Sequence, residues 1–243
     1  MIWIIAAGVA LFAYLLGSVN SSIILTKLMG EKDIRREGSG NAGATNMLRT
    51  HGKKAGVLTL LGDVLKGILA VFLAVGLSYL VSKLIRPSDY TLHESLVMPT
   101  LLGMGVTDFE LSHILPSFRY IAAFFVVLGH DFPVFFGFKG GKGVATSGAV
   151  AVALDWKIGL IIVAIALVIM IISRYVSLGS ISAGIAYPFL VLGFMIGKGI
   201  FNPVYFVFAI VLGALMIYRH KANIKRLAEG TESKLGQKKE AQQ

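Results

Sequence analysis

The chain has 243 residues, 56% of them hydrophobic and only 15% charged, with a mean hydropathy of +0.77 and a formal charge of +10. Soluble domains carry about 25% charged residues, so this composition excludes an ordinary globular protein and makes lipid the main solvent for its apolar surface. The absence of cysteine excludes disulfides, thiolate metal sites and a covalent thioester on the protein. No basic domain stands apart from the apolar stretches, which argues against nucleic acid as a partner.

The chain is apolar from Met1 and has no Lys or Arg before Lys27. A signal peptide has a basic start and a small-residue cleavage site, so Ile2–Leu25 reads as a retained first span. Spans need about 20 apolar residues. The segments that approach this are 2–25, 55–81, 119–137, 144–155, 158–173, 178–197 and 201–218. The fourth is short, and 144–172 would also fit one merged helix.

Charge decides between the two. The loop after the first span carries Lys27, Lys32, Arg35, Arg36, Arg49, Lys53 and Lys54, which marks it as cytoplasmic. Separate fourth and fifth spans keep Lys139, Lys142, Arg174 and the basic tail 219–243 on that same side; merging them would expel the tail. Asp155-Trp156-Lys157 is then an outer turn with Trp156 at the interface. The expected fold is an all-α integral membrane protein. It is one polytopic domain over 1–243: a seven-transmembrane-helix bundle with its N-terminus outside and its C-terminus cytoplasmic.

Segment 83–118 reads as an outer loop, its apolar stretch Leu96–Val106 too short to span. Asp63 and Lys66 interrupt the second span at i, i+3 and are expected to pair inside the bundle. Gly193 and Gly197 form a GxxxG pair, expected to pack closely against a neighbouring helix.

Three polar clusters fall on the cytoplasmic side. The first is Gly38-Ser39-Gly40-Asn41-Ala42-Gly43-Ala44-Thr45-Asn46 with Arg49. Its glycines permit an anion-binding nest. Asn41, Thr45 and Asn46 add donors, and Arg49 can clamp a phosphate. An ordinary capping turn is the plain alternative.

The second is Gly137-Phe138-Lys139-Gly140-Gly141-Lys142-Gly143. It fails the P-loop pattern, being one residue short and lacking the Ser/Thr. Even so, its glycines allow close backbone approach, the next helix offers its N-terminus, and Lys142 adds a charge. The third is Arg219-His220-Lys221-Ala222-Asn223, where His220 and Asn223 share a helix face. Arg219 and Lys221 fit topology anchors. Arg174 and Ser177 reach the same surface. There is no HxxxxD box, no nucleophile elbow and no metal-ligand spacing.

Longer runs carry a resemblance: Asp33-Ile34-Arg35 through Asn46, Gly52-Lys53-Lys54, Gly129-His130, Pro133-Val134-Phe135-Phe136-Gly137 through Thr146, and Tyr218-Arg219-His220. Together they resemble the bacterial acyl-phosphate:glycerol-3-phosphate acyltransferase (PlsY) family over nearly the whole chain. Loop 83–118 is longer than the family pattern and lies opposite the clusters.

The resemblance implies a seven-span enzyme of the bacterial cytoplasmic (inner) membrane. It would transfer a fatty acyl group from acyl phosphate to the sn-1 hydroxyl of glycerol 3-phosphate, giving lysophosphatidic acid and inorganic phosphate. That is the first acylation of phospholipid synthesis, with no cofactor and no covalent acyl-enzyme. Ser39, Arg49, Lys142, His220 and Asn223 match the family's polar site residues, and Gly137–Gly143 its phosphate-binding motif. The expected partners are acyl phosphate, glycerol 3-phosphate, membrane lipids and the acyl-phosphate-forming enzyme.

On this reading Arg49 and Ser39 hold phosphate, and Lys142 with its loop stabilises developing charge. His220 and Asn223 orient glycerol 3-phosphate. Gly40, Asn41, Thr45, Asn46, Gly137, Lys139, Gly140, Gly141, Gly143, Arg174 and Ser177 line the phosphate sites. The proton of the attacking hydroxyl goes to His220 or, the favoured route, to the donor phosphate. A transporter of a phosphorylated metabolite is the alternative, but it predicts charge at the midplane, whereas most polar residues here crowd one side.

Overall fold

The computed structural model describes residues 2–85 and 108–237, and every long element among them is a helix. They are α1 (Ile2–Ser18), α2 (Ser21–Leu28), α3 (Ala44–Thr50), α4 (Gly52–Ile85), α5 (Asp108–Asp131), α6 (Val144–Leu154), α7 (Trp156–Ser173), α8 (Val176–Lys198), α9 (Pro203–Arg219) and α10 (Lys221–Ala228). Five helical segments are long and apolar enough to cross a membrane: Ile2–Leu28, Gly52–Ser82, Ser117–Phe136, Trp156–Ser173 and Val176–Lys198. The α9–α10 pair, bent by 57°, makes a sixth if counted as one. The protein is thus an all-helical integral membrane protein.

Several expected boundaries move. The first span remains one segment, Ile2–Leu28, but its helix is interrupted at Val19-Asn20. Asn20, fully buried, ends α1 and caps α2, its Oδ1 accepting from Ile23 N at 3.1 Å. The helix expected over 119–137 begins at Asp108 and stops at Asp131, where Pro133, lacking a donor, starts a short 3-10 turn. The expected loop 83–118 is therefore shorter at both ends; its apolar stretch Leu96–Val106 lies outside the described residues.

The chain does break at Asp155. There the backbone is extended, and the carboxylate accepts from Lys157 N at 3.0 Å and Ile158 N at 3.2 Å as the cap of α7. The expected segments 144–155 and 158–173 are thus two helices. With 11 residues, α6 is a short apolar helix below spanning length.

Small residues let the helices approach each other, as expected where lipid removes the hydrophobic drive between helices. A Cβ at Gly17 would overlap the backbone of Val126, and one at Gly129 that of Tyr14, so α1 and α5 meet backbone to backbone. A Cβ at Gly213 would likewise overlap Gly184 O, so α9 meets the backbone of α8, and Gly159 seats α7 on α6 at Val152. Gly193 and Gly197 differ from expectation: a Cβ at either meets nothing within 4 Å, so this pair faces open space. The core between the helices includes Phe118, Val126, Val150, Val191 and Ala209, all fully buried, while Ile171, Ile172, Phe189 and Ile196 point outward.

Helix ends gather in two layers. One holds the ends of α1, α5, α7 and α9 and the starts of α4, α6 and α8, tied by Ser18 to Val134 and by the contacts described below. The opposite layer holds Asp155 and Lys198, 4.0 Å apart, and the stacked pair Tyr120 and Tyr205. Asp63 and Lys66 pair at 3.0 Å as expected, both buried. Lys66 also donates to Gly17 O and Val19 O, covering the orphan carbonyls at the end of α1.

Candidate active site

The first polar cluster is a loop held from several sides. Asn20 donates to Ala42 O at 3.4 Å. Asn46, buried, accepts the Ser39 N–H at 2.9 Å and donates to Ile34 O and Glu37 O. Its amide is consumed inside the loop. Arg35 pairs with Asp33 at 2.6 Å and reaches across to Phe136 O and Lys139 O, so this loop and the glycine loop are stapled together. Ser39 and Gly40 are exposed, and Asn41 and Thr45 half-buried. The side chain of Lys139 is exposed as well.

The glycine loop uses its glycines in two ways. Gly137 and Gly143 have φ of 67° and 65°, a region that favours glycine. Gly140 and Gly141 are needed for packing: a Cβ would overlap His130 O at the first and the His130 ring at the second. Their N–H groups bond Asp131 O at 3.3 Å and His130 O at 3.1 Å. Those two amides therefore face the end of α5 and are not offered to a ligand. Beneath them His130 Nδ1 lies 2.8 Å from Lys66 Nζ and 3.4 Å from Asp63 Oδ1, so the buried pair supports the loop through this ring.

Lys142 leads into the third cluster. Its Nζ donates to Asn223 Oδ1 at 2.5 Å, and Asn223 Nδ2 donates to Glu232 Oε1 at 2.7 Å. Glu232 also accepts from Ser177 Oγ and from Arg226 Nε, each at 2.7 Å. Arg49 donates to Ser233 O at 3.3 Å, and Arg174 to Leu235 O at 3.3 Å, while the Arg49 Nε is buried without a partner. The segment 231–235 thus crosses the site, joining α3, α8 and α10. Residues expected from sequence (Arg49, Lys142, Arg174, Ser177, Asn223) meet here, while Glu232 and Arg226 were missed. The signal for Glu232 was slight: one of three acids in a basic tail.

Burial pushes the Lys142 ammonium down to about 8, with Arg226, Arg219 and Arg49 adding repulsion and Glu232 opposing. Burial alone would raise the Glu232 carboxyl, but the donors Ser177, Asn223 and Arg226 hold it below the usual glutamate value. Arg49 is lowered by burial, against the attraction of Glu232. His220, buried at the bend between α9 and α10, bonds Met216 O through Nδ1 at 2.8 Å. A carbonyl only accepts, so Nδ1 carries the proton and Nε2 keeps a lone pair. Burial pushes the ring down to about 4, leaving it neutral at pH 7. Arg219 is not a free anchor: it bonds Gly141 O and lies 3.7 Å from Asp131. Among the described residues no group of three or more His, Asp or Glu is placed to hold a metal.

The chain has relatives of known family. The family profile for glycerol-3-phosphate acyltransferase matches residues 7–230. A protein of that name from Clostridioides difficile is 40% identical over 96% of both chains, and one from Thermoanaerobacter pseudethanolicus is 40% identical over 95% of this chain and 96% of its own. Among solved structures, PlsY, an integral membrane glycerol 3-phosphate acyltransferase, superposes in its glycerol 3-phosphate form with a TM-score of 0.72. It has 37% identity and covers 95% of this chain and 96% of that one. Its lysophosphatidic acid form superposes at 0.70, with 37% identity and 95% coverage of both chains.

Proposed function

We propose, for a chain that belongs to the glycerol-3-phosphate acyltransferase family and is an acyltransferase of phospholipid synthesis, that the acyl donor is acyl phosphate and the acceptor the sn-1 hydroxyl of glycerol 3-phosphate. The observation that carries this is the cationic cluster of Lys142, Arg49 and Arg226 around amide and hydroxyl groups, in a chain with no cysteine to carry an acyl thioester. Both substrates bear phosphate, and an acyl phosphate is already activated. The hydroxyl oxygen bonds to the acyl carbon, the bond from that carbon to the phosphate oxygen breaks, and inorganic phosphate leaves. The proton goes to the departing phosphate.

His220 supports that route, since a ring lowered to about 4 is a weak base. Its Nε2 can still accept a hydrogen bond from the hydroxyl and orient it. Lys142 and the α6 end of the glycine loop stabilise charge on the phosphate or the oxyanion, and Arg49 and Ser39 hold phosphate. Asn223, tied to both Lys142 and Glu232, fixes the ammonium as well as the acceptor substrate. Holding both reactants together supplies much of the rate.

The chain crosses a bacterial inner membrane seven times as one domain, N-terminus out, C-terminus and site cytoplasmic. The two layers of helix ends support seven passes if α6 counts as one, and the positive charge of the site layer supports its side. Membrane lipids and the acyl-phosphate-forming enzyme are the partners on this reading. The test is phosphate release by purified protein in lipid, given palmitoyl phosphate and glycerol 3-phosphate, with acyl thioesters run separately. Lysophosphatidic acid formed from the phosphate donor supports the proposal. Transfer from a thioester alone overturns the donor, and no transfer at all favours a transporter.

A further inference from the structure

A basic residue just inside the last span is usually a topology anchor, and an anchor needs only charge. Arg219 has more specific neighbours. Its Nε and Nη2 both donate to Gly141 O, the first at 3.2 Å. Its guanidinium carbon lies 4.6 Å from the centre of the Phe132 ring, and its Nε 3.7 Å from Asp131 Oδ2. Phe132 and Asp131 belong to the end of α5, Gly141 to the loop before α6, and Arg219 to the end of α9. One planar group joins three helices at the site.

Gly141 precedes Lys142. A trans peptide is planar, so its C=O and the following N–H point in opposite directions. Fixing the Gly141 carbonyl on Arg219 therefore fixes the Lys142 N–H on the loop's other side. The N–H groups of Gly140 and Gly141 are already bonded to α5. Among the described hydrogen bonds none takes the N–H of Lys142, Gly143, Val144 or Ala145. These amides are what the loop retains for an anion. Asp131 lies beside them: both its carboxyl oxygens are buried without a hydrogen bond, and Oδ1 lies 2.9 Å from where a Cβ on Gly143 would stand. Arg219 Nε lies 3.7 Å from its Oδ2.

We infer that Arg219 is a positioning residue for acyl transfer. It holds the Gly141–Lys142 peptide so that the Lys142 amide and the first turn of α6 face the reacting phosphate or oxyanion. The inference rests on the reading that this loop serves the donor.

The experiment compares wild type, Arg219→Lys and Phe132→Leu in lipid, with kcat and KM for both substrates and with C-terminal tag accessibility for orientation. Arg219→Lys keeps the charge and the orientation, yet kcat falls about tenfold or more, as for loss of an oxyanion donor. Phe132→Leu keeps every charge and lowers kcat by a smaller factor, with KM for glycerol 3-phosphate nearly constant. Wild-type kcat and KM in Arg219→Lys would overturn the inference, since charge alone would suffice. A change in KM with unchanged kcat would overturn it too. If Arg219→Lys fails to insert, wild-type kcat in Phe132→Leu is the refuting result. Failure of the underlying donor reading looks different: wild type itself then transfers only from a thioester.

Discussion

If Lys142 serves acyl transfer as proposed, its lowered ammonium sets an alkaline limit on the reaction. With a value of about 8, the side chain is about 90% charged at pH 7 and about 10% at pH 9, whereas an unperturbed lysine near 10.4 stays almost fully charged across that range. If the charge stabilises the transition state, kcat/KM falls about tenfold from pH 7 to pH 9, as one proton is lost. The substrates do not mimic this, because phosphate monoesters have a second pKa near 6 and are already mostly doubly ionised at pH 7. Unfolding does not mimic it either. A lysine lowered in the folded state binds fewer protons there than in the unfolded chain between about 8 and 10.4, so its contribution to stability rises with pH in that window. The assay is initial phosphate release against pH, corrected for spontaneous donor hydrolysis, with thermal stability measured in parallel. Lys142→Arg lowers the plateau, because the Asn223 geometry is lost, but flattens the alkaline limb, since arginine stays charged. A wild-type rate that holds to pH 9, or an equal fall in Lys142→Arg, would refute the argument.

Glu232→Gln keeps the shape but turns one acceptor into a donor amid Ser177, Asn223 and Arg226. Losing one charge-assisted bond costs about 1.5–3 kcal/mol, or roughly 10–100-fold in kcat/KM. Because Glu232 also supports the Lys142 charge, the alkaline limb moves below its wild-type position, a shift that simple loosening of the tail would not give. Gly141→Ala forces a Cβ onto the His130 ring and within 2.7 Å of Ala42 O, and the ring cannot yield because Lys66 and Asp63 hold it. The expected cost is about 1–3 kcal/mol with loss of activity. Gly8→Ala, where a Cβ meets nothing, is the control and keeps both thermal stability and rate.

Local chemistry was legible in the sequence. Lys142, Arg49, Asn223 and Ser177 stand out because glycine, amide and cationic residues at a membrane face have few structural uses. The break at Asp155 followed from charge, and the structure gives its local cause in the cap on Lys157 and Ile158. What the sequence hid is mostly long-range. Arg219 looked like an anchor because its partner Gly141 is 78 positions away. Glu232 looked like solvated tail because Ser177 is 55 positions away. Gly140 and Gly141 suggested close backbone approach to an anion, but their reason is the end of α5. The first span appeared continuous because Val19-Asn20 carries no Pro or Gly; burial of Asn20 as a cap appears only once Ala42 is beside it.

The length of α6 fixes where the chemistry happens. Its 11 residues rise about 16 Å, against a hydrocarbon core of about 30 Å. Such a helix cannot carry the glycine loop to one headgroup plane and the Asp155 turn to the other. Either one of its ends is recessed or the bilayer is drawn thin around it. If the recessed end is the loop, the proposed site places Lys142 at the depth of lipid carbonyls rather than of headgroups. The proposed acyl phosphate would then present its carbonyl while its chain remains among other chains, and the water-soluble substrate would make the journey downward.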